Sequence, residues 1–184
     1  AMRVDPPAPY GRALPTVPSS AFGSVVAFNR EVDEAVALLM RANLVEAVVA
    51  PGFSSAALEL LREKKNVRLL LLPDAAAEGA LDYRSVRGGL LVQRRLGMSF
   101  PEDGWRVVSS RSPTAGELDD MRFAWRAVAT VKSNAILLAR EGATLGIGAG
   151  QMSRVDASRI AVMKARDQGR ELAGAALASD AFFP

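Results

Sequence analysis

The densest group of chemically useful side chains lies between Thr130 and Ser158, TVKSNAILLAREGATLGIGAGQMSRVDAS. Glycines at 146, 148 and 150 would let backbone N–H groups approach a ligand closely. Gln151, Ser153 and Arg154 add side-chain donors where a new helix would expose its first N–H groups. Such a loop suits an anionic or polar heterocyclic ligand; a plain glycine turn from strand into helix is the alternative. Asn134 carries an amide that could polarise a carbonyl or orient an amine without titrating, or could satisfy local backbone at a strand start. Lys132, two residues earlier, falls on the same face of a strand. Desolvated it would be a base, and solvated it would be a surface charge. Arg154 fits a carboxylate or phosphate contact. The glycine spacing departs from the dinucleotide fingerprint, and no acidic residue closes a following strand at the required distance, which argues against a Rossmann site.

These residues need a scaffold, and hydrophobic periodicity outlines one. Ala135 to Ala139 reads as an apolar strand, Glu141-Gly142 as a charged turn, and a second strand starts at Thr144. Ser153 with Asp156 caps a helix over 154–170 with Val155, Ile160 and Met163 facing inward. Upstream, Val25–Phe28, Leu44–Ala50 and Val67–Leu72 read as strands, with helices at 31–42 and 55–65 between them. Strand, helix, strand, helix, strand argues a mostly parallel sheet with helices packed on it. Residues 73–83 read as a loop, Val86–Gln93 as a strand, Gly97–Gly104 as a loop and Trp105–Ser109 as a short strand. Thr114 and Glu117 form a capping box for a helix whose buried stripe is Leu118, Met121, Trp125 and Val128. Ala175–Leu177 is a last strand. Prolines at 6, 7, 9, 15 and 18 predict that residues 1–18 form an extended arm on the domain or on a partner, ahead of one α/β domain over 19–184.

Composition narrows the chemistry. The chain of 184 residues holds no cysteine and no histidine. That removes disulfides, thiolate and imidazole metal sites, and Ser-His-Asp or Cys-His catalysis. Any general acid or base is then Lys, Asp, Glu, Tyr or bound water. Net charge is +3. There is no long basic run and no interleaved aromatics, so no nucleic-acid partner is expected. A phosphate- or carboxylate-bearing small ligand would account for the arginine excess, as would a solvated surface. No apolar run approaches the roughly 20 residues of a membrane span and no signal pattern opens the chain, so a cytoplasmic protein without membrane partners is expected.

The segments KSNAI (132–136), GIGAGQMSR (146–154) and ASDAFFP (178–184) resemble the C-terminal transformylase part of the bifunctional purine enzyme AICAR transformylase/IMP cyclohydrolase. SSAFGSVVAFNREVD (19–33), VVAPGFSSAALELLREKKNVRLL (48–70), VRGGLLVQ (86–93) and RFAWRAV (122–128) resemble it in the same order. The resemblance implies an α/β fold built from cytidine-deaminase-like units without zinc. The family reaction moves a formyl group from 10-formyltetrahydrofolate to the amine of AICAR. Carried over by position, Asn134 would bond near the reacting amine and formyl group. Ser24 would lie near the substrate's carboxamide. Gly148, Gly150, Gln151, Ser153 and Arg154 would form the substrate loop. Asp180, Phe182 and Phe183 would line the folate and potassium region. The family usually has an acidic residue where this chain has Arg94, a reversal that reads as an exposed position. The family's Lys-His pair precedes the matched segments and its histidine has no counterpart here; a further lobe and the cyclohydrolase domain are also expected to be missing. The expectation is therefore a shortened, repurposed transformylase-type enzyme acting on an amine or carboxamide, for instance by condensation or cyclisation in specialised metabolism. A non-catalytic ligand-binding or assembly subunit, or a regulatory subunit, is the alternative. The resemblance further implies a homodimer with its site at the interface, which would cover the proline arm and Phe182-Phe183.

Overall fold

The computed structural model describes residues 7–14, 20–73, 81–94 and 102–183. Its elements are, in chain order, α1 (Pro7–Ala13), β1 (Ser24–Ala27), α2 (Glu34–Arg41), β2 (Val45–Ala50), α3 (Ser55–Arg62), β3 (Arg68–Leu71), β4 (Leu81–Val86), β5 (Gly89–Arg94), α4 (Ala115–Val128), β6 (Ile136–Arg140), β7 (Ala143–Gly148), α5 (Arg154–Asp167) and β8 (Ala176–Ser179). This is the expected mixed α/β architecture, with a parallel sheet and flanking helices.

The first lobe is the predicted alternation of strand and helix. β1, β2 and β3 form a three-stranded parallel sheet in that order, with Val26 opposite Val48 and Val48 opposite Leu69. Asp33 and Ser54 cap α2 and α3 by accepting from Val36 N and Ala57 N. Val32, Val36, Met40, Val48 and Leu61 fill one core beneath these helices. The second lobe is an antiparallel sheet ordered β7-β6-β8 with α4 and α5 packed on it. Glu141 and Gly142 turn β6 into β7 with φ of 53° and 67°, the two positive values a tight hairpin turn of matching twist requires.

Several expectations are corrected. Residues 7–13 are helical, not extended, because Pro7 and Pro9 occupy a first helical turn, where the missing N–H costs nothing. Residues 1–6 and 15–19 lie outside the described ones, as do most of the loops expected at 73–83 and 97–104. The strand expected at 86–93 is half of a hairpin: β4 precedes it, joined by Arg87-Gly88. Trp105–Ser109 forms no strand. Trp125 is half-exposed rather than core, and meets Trp105 edge to face at 6.2 Å. On α4, Ala124 and Val128 are buried while Met121 is exposed. The capping box of Thr114 and Glu117 is present as expected.

On α5 the inward residues are Ala157, Ala161 and Ala165, all fully buried, while Val155 and Met163 are exposed. Gly146 and Gly148 explain this. A Cβ on Gly146 would sit 2.1 Å from the Ala161 carbonyl oxygen, and one on Gly148 would sit 1.9 Å from that of Ala157. The helix lies so close to β7 that only small residues fit between them.

Candidate functional site

The β6–β7 ladder decides where the chemistry sits. Ile136 pairs with Gly148 at its open end, so the segment entering β6 runs beside the segment leaving β7. The pairing continues past the strands. Asn134 N donates to Gln151 O at 3.1 Å, Gln151 N donates to Asn134 O at 3.2 Å, and Gly150 N donates to Lys132 O at 2.7 Å. The Asn134 side chain adds Nδ2 to Gln151 O at 2.9 Å. The Ser133–Asn134 peptide bond is cis. Gly150 has φ of 65°, which a residue with a side chain adopts only at a cost.

On the other edge of β6, Ile136 pairs with Ser179 of β8. Asp180 follows directly. Its Oδ1 accepts from Ala135 N at 2.7 Å, and its own N donates to Ala135 O at 3.3 Å. Arg154 opens α5 and sends Nη1 to Ala135 O at 3.2 Å and to Asp180 Oδ1. The two side chains are only 11% and 14% exposed. Partial desolvation pushes the Asp180 carboxyl up, but the Ser133 hydroxyl, the Ala135 amide and the Arg154 guanidinium outweigh it and hold the group at about 2. Asp180 is therefore an anion at any physiological pH. Ser153 caps α5, accepting from Asp156 N at 3.0 Å and donating to Asp156 Oδ2 at 2.7 Å.

Asn134, Gln151, Arg154 and Asp180 thus meet beside Ala135 from three segments of chain, with Gly150 and Ser153 next to them in the segment 150–154. The other expected residues lie at the edge of that cluster or away from it. Gly148 and Gly146 belong to β7, where the absence of a side chain gives α5 room. Lys132 reaches the cluster through its carbonyl, while its side chain is exposed, as a solvated lysine is. Phe182 and Phe183 follow Asp180 and are exposed. Gln151 turns Nε2 back to Ala149 O at 2.8 Å.

Ser24 opens β1 in the first lobe, opposite Val45. The preceding Gly23 has φ of 74° and donates its N to Leu44 O at 2.9 Å. Glu46 of β2 lies against it: its Oε1 is 3.4 Å from where a Cβ on Gly23 would be. Sequence reasoning passed over Glu46. The signal was a single carboxylate in an otherwise apolar strand, exposed beside a loop that already looked functional. Sequence reasoning also missed Ser133 and the Ala135 backbone, because neither advertises itself by residue type.

Chemically, the cluster offers a fixed anion, a guanidinium bonded to it, and an amide whose nitrogen is engaged with Gln151. Among the described residues no group of acidic side chains is arranged to hold a metal, and no helix is long and apolar enough to cross a membrane. The family model described as the AICARFT/IMPCHase bienzyme matches residues 1–164. Lys132 to Arg154 fall inside that span; Asp180, Phe182 and Phe183 lie beyond it.

Proposed function

The chain belongs to the AICARFT/IMPCHase bienzyme family, and from that premise we propose that the cluster around Ala135 is part of a transformylase-type site for an amine- or carboxamide-bearing substrate such as AICAR. The observation that carries the reading is that Arg154 and Asp180 both bond Ala135 and each other, while Asn134, the residue before it, bonds Gln151. In the family reaction the substrate amine attacks the formyl carbon of 10-formyltetrahydrofolate. A C–N bond forms, the bond to the folate nitrogen breaks, the amine loses a proton and the folate nitrogen gains one. Asn134 Oδ1 would orient the attacking amine by accepting one of its N–H bonds. Among these 184 residues the proton can leave to a carboxylate, a lysine, a tyrosine or bound water, and a reaction repurposed toward condensation or cyclisation belongs to the same proposal.

Phe182 and Phe183, exposed next to Asp180, would give a folate ring an apolar surface. The Ser179 Oγ, buried with no partner among the described residues, fits an oxygen donor to a potassium ion, with Asp180 beside it. Bound there, the ion would supply only fixed positive charge. A second copy of the chain, with the site at the interface, and a cytoplasmic setting belong to the same proposal. A second reading, a ligand-binding or assembly subunit without turnover, is favoured by one observation: Arg154 and Asp180 already spend hydrogen bonds on each other and on Ala135. Calorimetry with AICAR and a folate analogue, followed by a formyl-transfer assay, tests both. Binding with transfer supports the enzyme, binding without transfer supports the subunit, and no binding of either compound ends the proposal.

A further inference from the structure

The two lobes have separate cores: Val32, Met40 and Leu61 belong to one, Ala124, Leu137 and Ile136 to the others. One short element touches both lobes. α1 packs on α2 and reaches β7. Tyr10 is plugged into the first core, 7% exposed, with its ring 6.1 Å from that of Phe28. Two residues on, Arg12 Nη1 donates to the carbonyl oxygen of Glu141 at 2.8 Å. Glu141 is the tip of the β6–β7 hairpin. From its other side, Asp120 of α4 holds the same turn by accepting from Gly142 N at 2.9 Å.

The hairpin is an arm of known length. Its five-residue strand β6 spans about 16 Å at strand rise. Its tip is held by Arg12, and its far end carries Asn134 and Gln151. The first lobe, to which Tyr10 anchors α1, carries Phe22, Gly23, Ser24 and Glu46. We infer that Arg12 is a positioning residue that fixes where the site-bearing hairpin stands relative to the first lobe. The joint is incompletely satisfied: Arg12 Nε and the Tyr10 hydroxyl are buried with no partner among the described residues. A joint held by few bonds and containing unpaired buried polar atoms opens at low cost. Arg12 therefore holds the lobes in register without welding them.

The chain has no cysteine, so two introduced thiols can be spin-labelled cleanly. Ala35→Cys on α2 and Lys164→Cys on α5 are both exposed and outside the cluster. Pulsed electron-spin distance measurement on this pair is the primary test. Arg12→Met keeps the apolar stem but removes the donor, and it should broaden or shift the interlobe distance distribution while the melting temperature stays near that of the parent. Arg12→Lys, which keeps a donor, should stay close to the parent. Superimposable distributions for the parent and Arg12→Met overturn the inference. So does an Arg12→Lys variant disturbed as much as Arg12→Met, which would mean that shape and not the bond to Glu141 matters. A second readout rests on the proposed function: AICAR affinity should fall roughly threefold to tenfold in Arg12→Met, the worth of one hydrogen bond. If the parent binds no AICAR, the proposed function fails while the distance measurement still decides the role of Arg12.

Discussion

Asn134 and Asp180 illustrate how little a residue's type says until its partners are known. Asparagine is uncharged at every pH, so replacing it by aspartate adds an anion where the guest amine would dock without changing shape. With Nδ2 lost as a donor to Gln151 O, Asn134→Asp should weaken AICAR binding tenfold or so, about 1.4 kcal/mol, in calorimetry at pH 7; unchanged affinity would remove Asn134 from the site. Asp180 is a different case. Its carboxyl is held at about 2, below the ordinary 3.8. A depressed carboxylate stabilises the folded state above the ordinary value, and that contribution disappears as pH falls toward the folded one. Asp180→Asn should therefore destabilise the protein by on the order of 2 kcal/mol at pH 7. The gap to the parent in urea melts should shrink between about pH 4 and pH 2, in line with that depression. A gap that stays constant with pH would mean that the Arg154 contact does not matter energetically.

Among elements, the clearest lesson is the pairing of β7 with α5. Capping signals were legible because they are local: Thr114 with Glu117 and Ser153 with Asp156 each settle a helix start within three or four residues. The strand-helix-strand run of the first lobe was legible because Val45–Ala50 is apolar but for Glu46, and its neighbouring strands are mostly apolar. The glycines at 146 and 148 were not, since a glycine that admits a ligand and one that admits a helix look identical in sequence. Only the alanines at 157, 161 and 165, at one-turn spacing, hinted at the second answer. α1 was missed because prolines in a first helical turn read like prolines in an arm. Gly148→Ala should cost about 3 kcal/mol or more, since its methyl would collide with backbone rather than a movable side chain. Thermal denaturation checks this, and a loss under 1 kcal/mol would show that α5 can slide away.

The molecule as a whole leaves one element without support. Among the described residues, β4 and β5 pair only with each other. Their register puts Tyr83 opposite Val92, with Leu81 and Leu90 on the same face, and all of them are exposed. A lone two-stranded hairpin is marginal in water, and an apolar face of this kind marks an interaction surface. If the second copy of the proposed homodimer covers it, light scattering coupled to gel filtration should give twice the mass of the chain. Leu90→Ser combined with Val92→Ser should return it to monomer while the circular dichroism spectrum is preserved. A monomeric parent would count against the dimer and against a site completed by it.

The contact between β7 and α5 also bears on how this protein can change over generations. Where backbone meets backbone without a side chain between, no methyl group can be added on either side, and no conservative exchange is open to Gly146 or Gly148. Variation is thereby steered outward, to Val155, Met163 and the other exposed positions of α5, while Arg154 at its start is held in place. A saturation library of this seam should return almost nothing but the parental glycines, next to helix positions that accept nearly anything.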